Sequence, residues 1–535
     1  MRNRFFVSLF TLFCCLLGAP EAGAQEFWTG AVSTSWFDGN NWLSGQVPDA
    51  STNVTIGGAP LLPEISSGVG SVGDIDVLAG ATVTISGTGT LETHGAVRLL
   101  TAAGQTGVFN LDTDTTALKV NGAWTQDDAA AVVSNGGRVV FEGGASLGGS
   151  AVAIPFARLS TGTTTLLSNV SVENLDATGG VSAGAGFAWE FSAPTATLAS
   201  GAQPIHLVRI SAGVVTVGTS VIQELELTGG EMFVNIASDV QFATRLELIG
   251  GKVGFGNLST SVLRVLGDLI CGSAVTWGSG YVDMDGPATT ISGPGGTTGH
   301  MSRCRLKSGS TALLTNVEID AWLGNVGGAT TGEWFEMVGS FAFLSGGGNL
   351  HRLRILSGLT NSFNCSADEF ELQGGTFSVV GGQTFNAGVS ADLVGGSMAW
   401  SNPISANFRC QGTLIASSGV TFGDGFIDMD GTTTISGPGG GPARIGKLRL
   451  FSGVCTLLAP VQIDFELQSA GGTSAGDWFE MVGTDSTISS TSGSSHQVRI
   501  TGGKCSADGA TVDTLEITGG ILEVPSGEIM TVTGD

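Results

Sequence analysis

Charge is scarce in this 535-residue chain: Asp, Glu, Lys and Arg make up 13% of it. Cations are the scarcest, with 21 Lys and Arg against 46 acids and a formal net charge of −25. Such a surface repels phosphates, which excludes nucleic acid as a partner. The same shortage fits poorly with gripping an anionic polymer such as pectate. After residue 24 no stretch reaches the roughly 18 apolar residues that a membrane helix needs, so no span is expected in the mature chain. There is no Cys-x-x-Cys pair, which removes zinc-ribbon and redox readings. No G-x-S-x-G, H-E-x-x-H, P-loop or G-x-G-x-x-G stands in a strand–turn–helix context, and the many glycine pairs read as turns.

What remains is glycine and small β-formers. Glycine numbers 86, while hydrophobic residues reach 41%. That is too apolar for a disordered chain and too rich in glycine for a helical or α/β enzyme. Glycine-punctuated runs of β-branched residues predict many short strands joined by tight turns. At the start, Arg2 and Arg4 precede an apolar stretch from Phe5 to Leu17, and Ala22-Gly23-Ala24 supplies a small-x-small cleavage pattern. Residues 1–24 therefore read as a signal peptide cleaved before Gln25, which places the protein outside the cell or on its surface. Phe13 stands before Cys14 where a lipoprotein signal has a small residue, which disfavours lipidation.

Self-similarity settles the architecture. His206-Leu-Val-Arg-Ile210 returns as His351-Arg-Leu-Arg-Ile355 and as His496-Gln-Val-Arg-Ile500, two steps of 145 residues. Val282-Asp-Met-Asp-Gly286 matches Ile427-Asp-Met-Asp-Gly431, and Glu333-Trp-Phe-Glu-Met-Val-Gly339 matches Asp477-Trp-Phe-Glu-Met-Val-Gly483. Within each unit, strand-closing glycines recur at spacings of about 13 to 21 residues, as at 213, 230 and 250. A strand, a turn and a return at that interval describe a coil that cannot bury its own apolar row until it is stacked. The expected fold is all-β: a right-handed parallel β-helix with coils of about 17–21 residues, arranged in ~145-residue super-repeats. These cover approximately 139–283, 284–428 and 429–535, the last incomplete, since residues 514–535 align with 369–390. The chain is thus expected to be truncated relative to its parent or to end abruptly. Propeller blades of 40 to 50 residues fit these spacings less well, and no Pro/Ser/Thr linker marks separate sandwich domains.

Residues 25–60 differ from the rest. Trp28, Trp36 and Trp42 lie close together in Phe27-Trp-Thr-Gly and Ser35-Trp-Phe-Asp-Gly-Asn-Asn-Trp42, with Val47-Pro48 following before Asn53-Val-Thr-Ile56 opens the strands. An open solenoid end needs a cover, so this segment is expected to cap residues 61–535. An aromatic platform for carbohydrate is the rival reading. The Trp-rich leader resembles that of bacterial secreted and autotransporter-type parallel β-helix proteins. That resemblance, over about 35 residues, implies an adhesin-like passenger.

Several residues are candidates for chemistry. Asp283 with Asp285, and Asp428 with Asp430, flank inward methionines, so alternation puts each pair on the outer face within about 7 Å. Such oxygens suit a calcium ion or acid–base work, although outward strand positions are also simply polar. Trp334 with Glu336, and Trp478 with Glu480, combine an indole face and an acid as sugar contacts do, or else pin a loop. His206, His351 and His496, each followed by an arginine three residues later, sit on the order of 30 Å apart at the ~4.8 Å coil spacing and read as repeated structural positions. Cys271 with Cys304, and Cys410 with Cys455, are separated by one or two coils and are expected to form disulfides, which export permits.

Duplication favours a surface built by copying over an active site, which is single. The sequence therefore reads as a non-catalytic, secreted or cell-surface structural or adhesive solenoid, with extracellular glycans or cell-surface matrix as partners. A β-helix polysaccharide lyase or hydrolase and a calcium-dependent carbohydrate-binding module are the alternatives.

Overall fold

The computed structural model describes residues 25–128, 131–257, 260–346 and 348–534, so residues 1–24, where a signal peptide is expected, lie outside the described residues. The chain is all-β, with parallel strands stacked as the coils of a β-solenoid of about 24 turns. It divides into two units, one up to Val240 and one from Gln241.

In the first unit each coil contributes strands to three faces. Asn53–Ile56, Glu64–Ile65 and Val69–Val72 belong to one coil. They pair in parallel with Ile75–Val77, Thr82–Ile85 and Thr90–Thr93 of the next. The second unit has the same style, and there the coils run from 17 residues (Leu353 beside Phe370) to 24 (Gly396 beside Val420). The expected range of 17–21 is therefore too narrow. In the first unit Val97 lies beside Trp124, 27 residues on, because the antiparallel pair Thr101–Ala102 and Gln105–Thr106 is inserted between them. That insertion sits in a turn and leaves the stacked register intact, whereas single extra residues elsewhere enter within strands as register shifts, as between Met301 and Arg303.

Alternation fixes what faces inward. Leu246 and Leu248 are fully buried while Arg245 and Glu247 face outward and pair with each other. In the second unit Phe370, Phe377, Phe385 and Phe408 meet in the core, with ring centroids 4.7 to 6.2 Å apart. Each buried phenyl contributes about 1.5–3 kcal/mol of transfer free energy.

At the amino-terminal end Trp28, Trp36 and Trp42 pack together, Trp42 edge-on to the other two, with centroids 4.8 to 6.4 Å apart. All three are buried, so their faces are not available as a sugar platform. Trp28 Nε1 donates to the Leu61 carbonyl and Trp42 Nε1 to that of Trp36, which ties the cluster to the chain around it. The segment 25–60 also joins the sheet, because Gln25–Phe27 pairs in parallel with Asn53–Ile56.

Three glycines show why the repeat keeps its punctuation. Gly213, Gly358 and Gly503 have φ of 70°, 69° and 65°. A Cβ there would lie 1.7 to 1.9 Å from the carbonyl oxygen of Ala193, Gly339 or Gly483 in the coil beneath. Both left-handed backbone and close approach demand glycine. Gly358→Ala is expected to destabilise the second unit by about 1–3 kcal/mol, read as a lowered urea midpoint with unchanged far-ultraviolet circular dichroism at low denaturant.

Candidate functional site

Stacking places each outward side chain directly below its counterpart one coil on, and the charged residues use this systematically. Glu190, Arg209 and Glu226 occupy one register column, as do Glu336, Arg354 and Glu371, and Glu480, Arg499 and Glu516. In each column the arginine bridges the two acids. Arg209 reaches Glu190 and Glu226 at 2.8 and 2.7 Å, Arg354 reaches Glu336 and Glu371 at 2.9 and 2.6 Å, and Arg499 reaches Glu480 and Glu516 at 3.3 and 2.8 Å. A bridging cation turns what would be like-charge repulsion between adjacent coils into attraction. The two glutamates hold the Arg209 guanidinium above its ordinary pKa, the Glu226 hydrogen bond first.

The sugar-contact candidates belong to this scaffold. Glu336 is buried, accepting from Arg354 Nη1 and Asn316 Nδ2. Arg354 lies over the Trp334 ring at 4.4 Å and Arg499 over Trp478 at 4.5 Å. One indole face in each copy therefore already holds a guanidinium, a cation–π contact.

The aspartate pairs are held alike in both copies, each by an arginine fork, but their two members are not equivalent. Asp283 and Asp428, on the outward side of their strands, are nonetheless buried. Arg305 grips both oxygens of Asp283 at 2.5 and 2.9 Å, and Arg449 grips both of Asp428 at 2.7 Å. These guanidiniums cover the carboxylates like lids. Asp285 and Asp430 accept from Ser308 and Ser452 and lie 3.6 Å from Arg264 and 3.5 Å from Arg409. A calcium ion at either pair would have to displace an arginine fork. Among the described residues no group of three or more His, Cys, Asp or Glu side chains is placed to hold a metal ion. Burial pushes the Asp428 carboxyl above the usual carboxylate range, and Arg449 only partly offsets it.

Each repeated histidine bonds one coil onward: His206 to Gln223, His351 to Asp368 and His496 to Asp513. The G-x-S-x-G spellings at 144–148, 180–184 and 472–476 run along strands; Ser182 Oγ accepts from Trp189 Nε1 and Ser474 Oγ from the His496 backbone instead of sitting at a nucleophile elbow. The expected disulfides do not form. Cys271, Cys304, Cys410 and Cys455 are buried free thiols, as are Cys365 and Cys505. Spacing does find neighbours, since Cys304 feels Cys271 and Cys455 feels Cys410. Burial pushes the Cys271 thiol up to about 12 and the Cys410 thiol to about 11.

Sequence reasoning missed a cavity of about 480 Å³ in the second unit, lined by Tyr281, Arg303, Trp322, Phe341, Phe343 and Phe363 among others. The signal available was difference, not likeness: Trp322, Phe341, Phe343 and Phe363 sit where the following copy has Glu466, Asp485, Thr487 and Asp508.

Two outcomes follow from these contacts. Arg449→Met should cost about 3–5 kcal/mol, because it strands the buried Asp428, and adding Asp428→Leu should recover much of the loss in urea unfolding. At pH 8 the six core thiols should resist iodoacetamide in the native protein and react once unfolded, as followed by intact mass.

Among family models, that of a domain of unknown function (DUF8693) matches residues 27–133, which include the tryptophan cluster and the first coils. Comparison with curated proteins and with solved structures finds no match.

Proposed function

We propose that the chain is a secreted or cell-surface structural and adhesive solenoid that engages extracellular glycans or matrix and does not turn them over. The observation that supports this best is the Glu–Arg–Glu column occurring at one repeat position in three copies. It commits the acids and arginines of that face to holding successive coils together. A polysaccharide-cleaving site needs an acid with a shifted pKa open to substrate. The acids singled out for that role instead have arginine, serine or asparagine partners. A long surface of copied faces also suits multivalent contact, in which weak sites add through proximity.

The exported chain, residues 25–535, applied to a glycan array and to extracted surface matrix with and without calcium, is expected to be retained on at least one of them. Incubated with the same polysaccharides, it should release neither reducing ends nor unsaturated products. Turnover of any polysaccharide overturns the reading. Binding lost with chelator and restored by calcium would shift it to a calcium-dependent binding module.

A further inference from the structure

The cavity beside Trp322 is built on a column that the duplication repeats. Arg303 pairs in register with Trp322, and Trp322 with Phe343. In the following copy Lys447 pairs with Glu466, and Glu466 with Thr487. Tyr281 and Phe426 occupy matching places below. Arg305 lies over the Tyr281 ring at 4.5 Å, as Arg449 lies over that of Phe426 at 5.1 Å. The scaffold is shared, then, down to its cation–π contacts.

The fillings differ. In the later copy Glu466 neutralises Lys447 at 3.4 Å, and Asp485, Thr487 and Asp508 stand where the earlier copy has Phe341, Phe343 and Phe363. In the earlier copy the acid's place is taken by Trp322. Among the described residues Arg303 has no carboxylate partner, whereas Arg305, Arg352, Arg354, Arg409 and Arg449 each have one. Its contacts are Tyr281, whose Oη accepts from Nη1 at 3.4 Å and whose ring lies 5.5 Å away.

A register shift bends the strand that carries Trp322 over the arginine. Met301 pairs with Ile319 but Arg303 with Trp322, so the upper strand carries one extra residue at Asp320–Ala321, and Ala321 lines the cavity. Bulges re-aim side chains in this way. Tyr281 and Trp322 meet edge-on at 4.4 Å, as Phe341 and Phe343 do at 4.8 Å. Phe341 and Phe343 are 52% and 37% exposed, which leaves apolar surface open to water beside the arginine. Trp322 Nε1 and Ser345 Oγ bond each other, so these two polar groups are already satisfied and the cavity offers aromatic faces with one cation.

We infer that this cavity is a binding site for a flat aromatic molecule bearing one carboxylate, with the ring held among Trp322, Phe341, Phe343 and Phe363 and the carboxylate on Arg303. The volume, the apolar lining and the single charged group are those of a small-ligand pocket. A fork from arginine to a carboxylate is the stronger kind of hydrogen bond and gains further where aromatic walls exclude water.

Calorimetric titration of the chain with 2-naphthoate, and with neutral 2-naphthol for comparison, tests this. Naphthoate should bind at one site. Arg303→Gln should weaken naphthoate at least tenfold and leave naphthol within about twofold. Trp322→Glu and Phe343→Thr import residues that the other copy already accommodates, so the variants should melt like the parent while losing both ligands. Equal weakening of both ligands by Arg303→Gln, unchanged binding in Trp322→Glu, or preference for the chain-like dodecanoate would each overturn the assignment. None of these results bears on retention by glycans or matrix, so the adhesive reading stands or falls separately.

Discussion

Coils stacked in register at about 4.8 Å leave no side chain free of the one above it. Every outward position becomes a column, and the character of a column is set by what the same place in neighbouring coils carries. Acids stacked on acids would push the coils apart, which matters in a chain with more than twice as many acids as cations. Placing arginine in the middle coil, as at Arg209, Arg354 and Arg499, resolves that conflict locally. The scarce cations are spent there. The glycine positions and the inward alternation follow from the same demand for register.

That demand also explains how far the fold could be read from the sequence. The duplicated His-x-x-Arg-Ile segments and the glycine spacing pointed to stacked coils because register forces copied residues into copied places. Inward Met284 and Met429 followed from alternation alone. Coil length was less legible. The insertion between Val97 and Trp124 lies in a turn, where the sequence loses its period and no packing restores it.

The candidate site was only partly legible, for a related reason. Alternation says that Asp283 and Asp428 point outward, but it cannot say that Arg305 and Arg449, some 21 or 22 residues on, fold across them. Sequence neighbours such as Asp283 and Asp285 looked like a pair, whereas the true partners lie one coil away. The cysteines carry the same lesson. Spacing brought Cys271 towards Cys304, but adjacency in an apolar core gives two neutral thiols as readily as a bond. Reading for repetition also drew attention to what the copies share. The exposed aromatics around Arg303 stand out only where the copies disagree.

The two columns Glu336–Arg354–Glu371 and Glu480–Arg499–Glu516 have interchangeable partners. A recombination event joining one copy to the matching point of the other would delete or add a whole unit and still deliver each arginine between two glutamates. Length in this protein is therefore an evolvable quantity: the gene can lengthen or shorten by misaligned exchange without passing through an unfoldable intermediate.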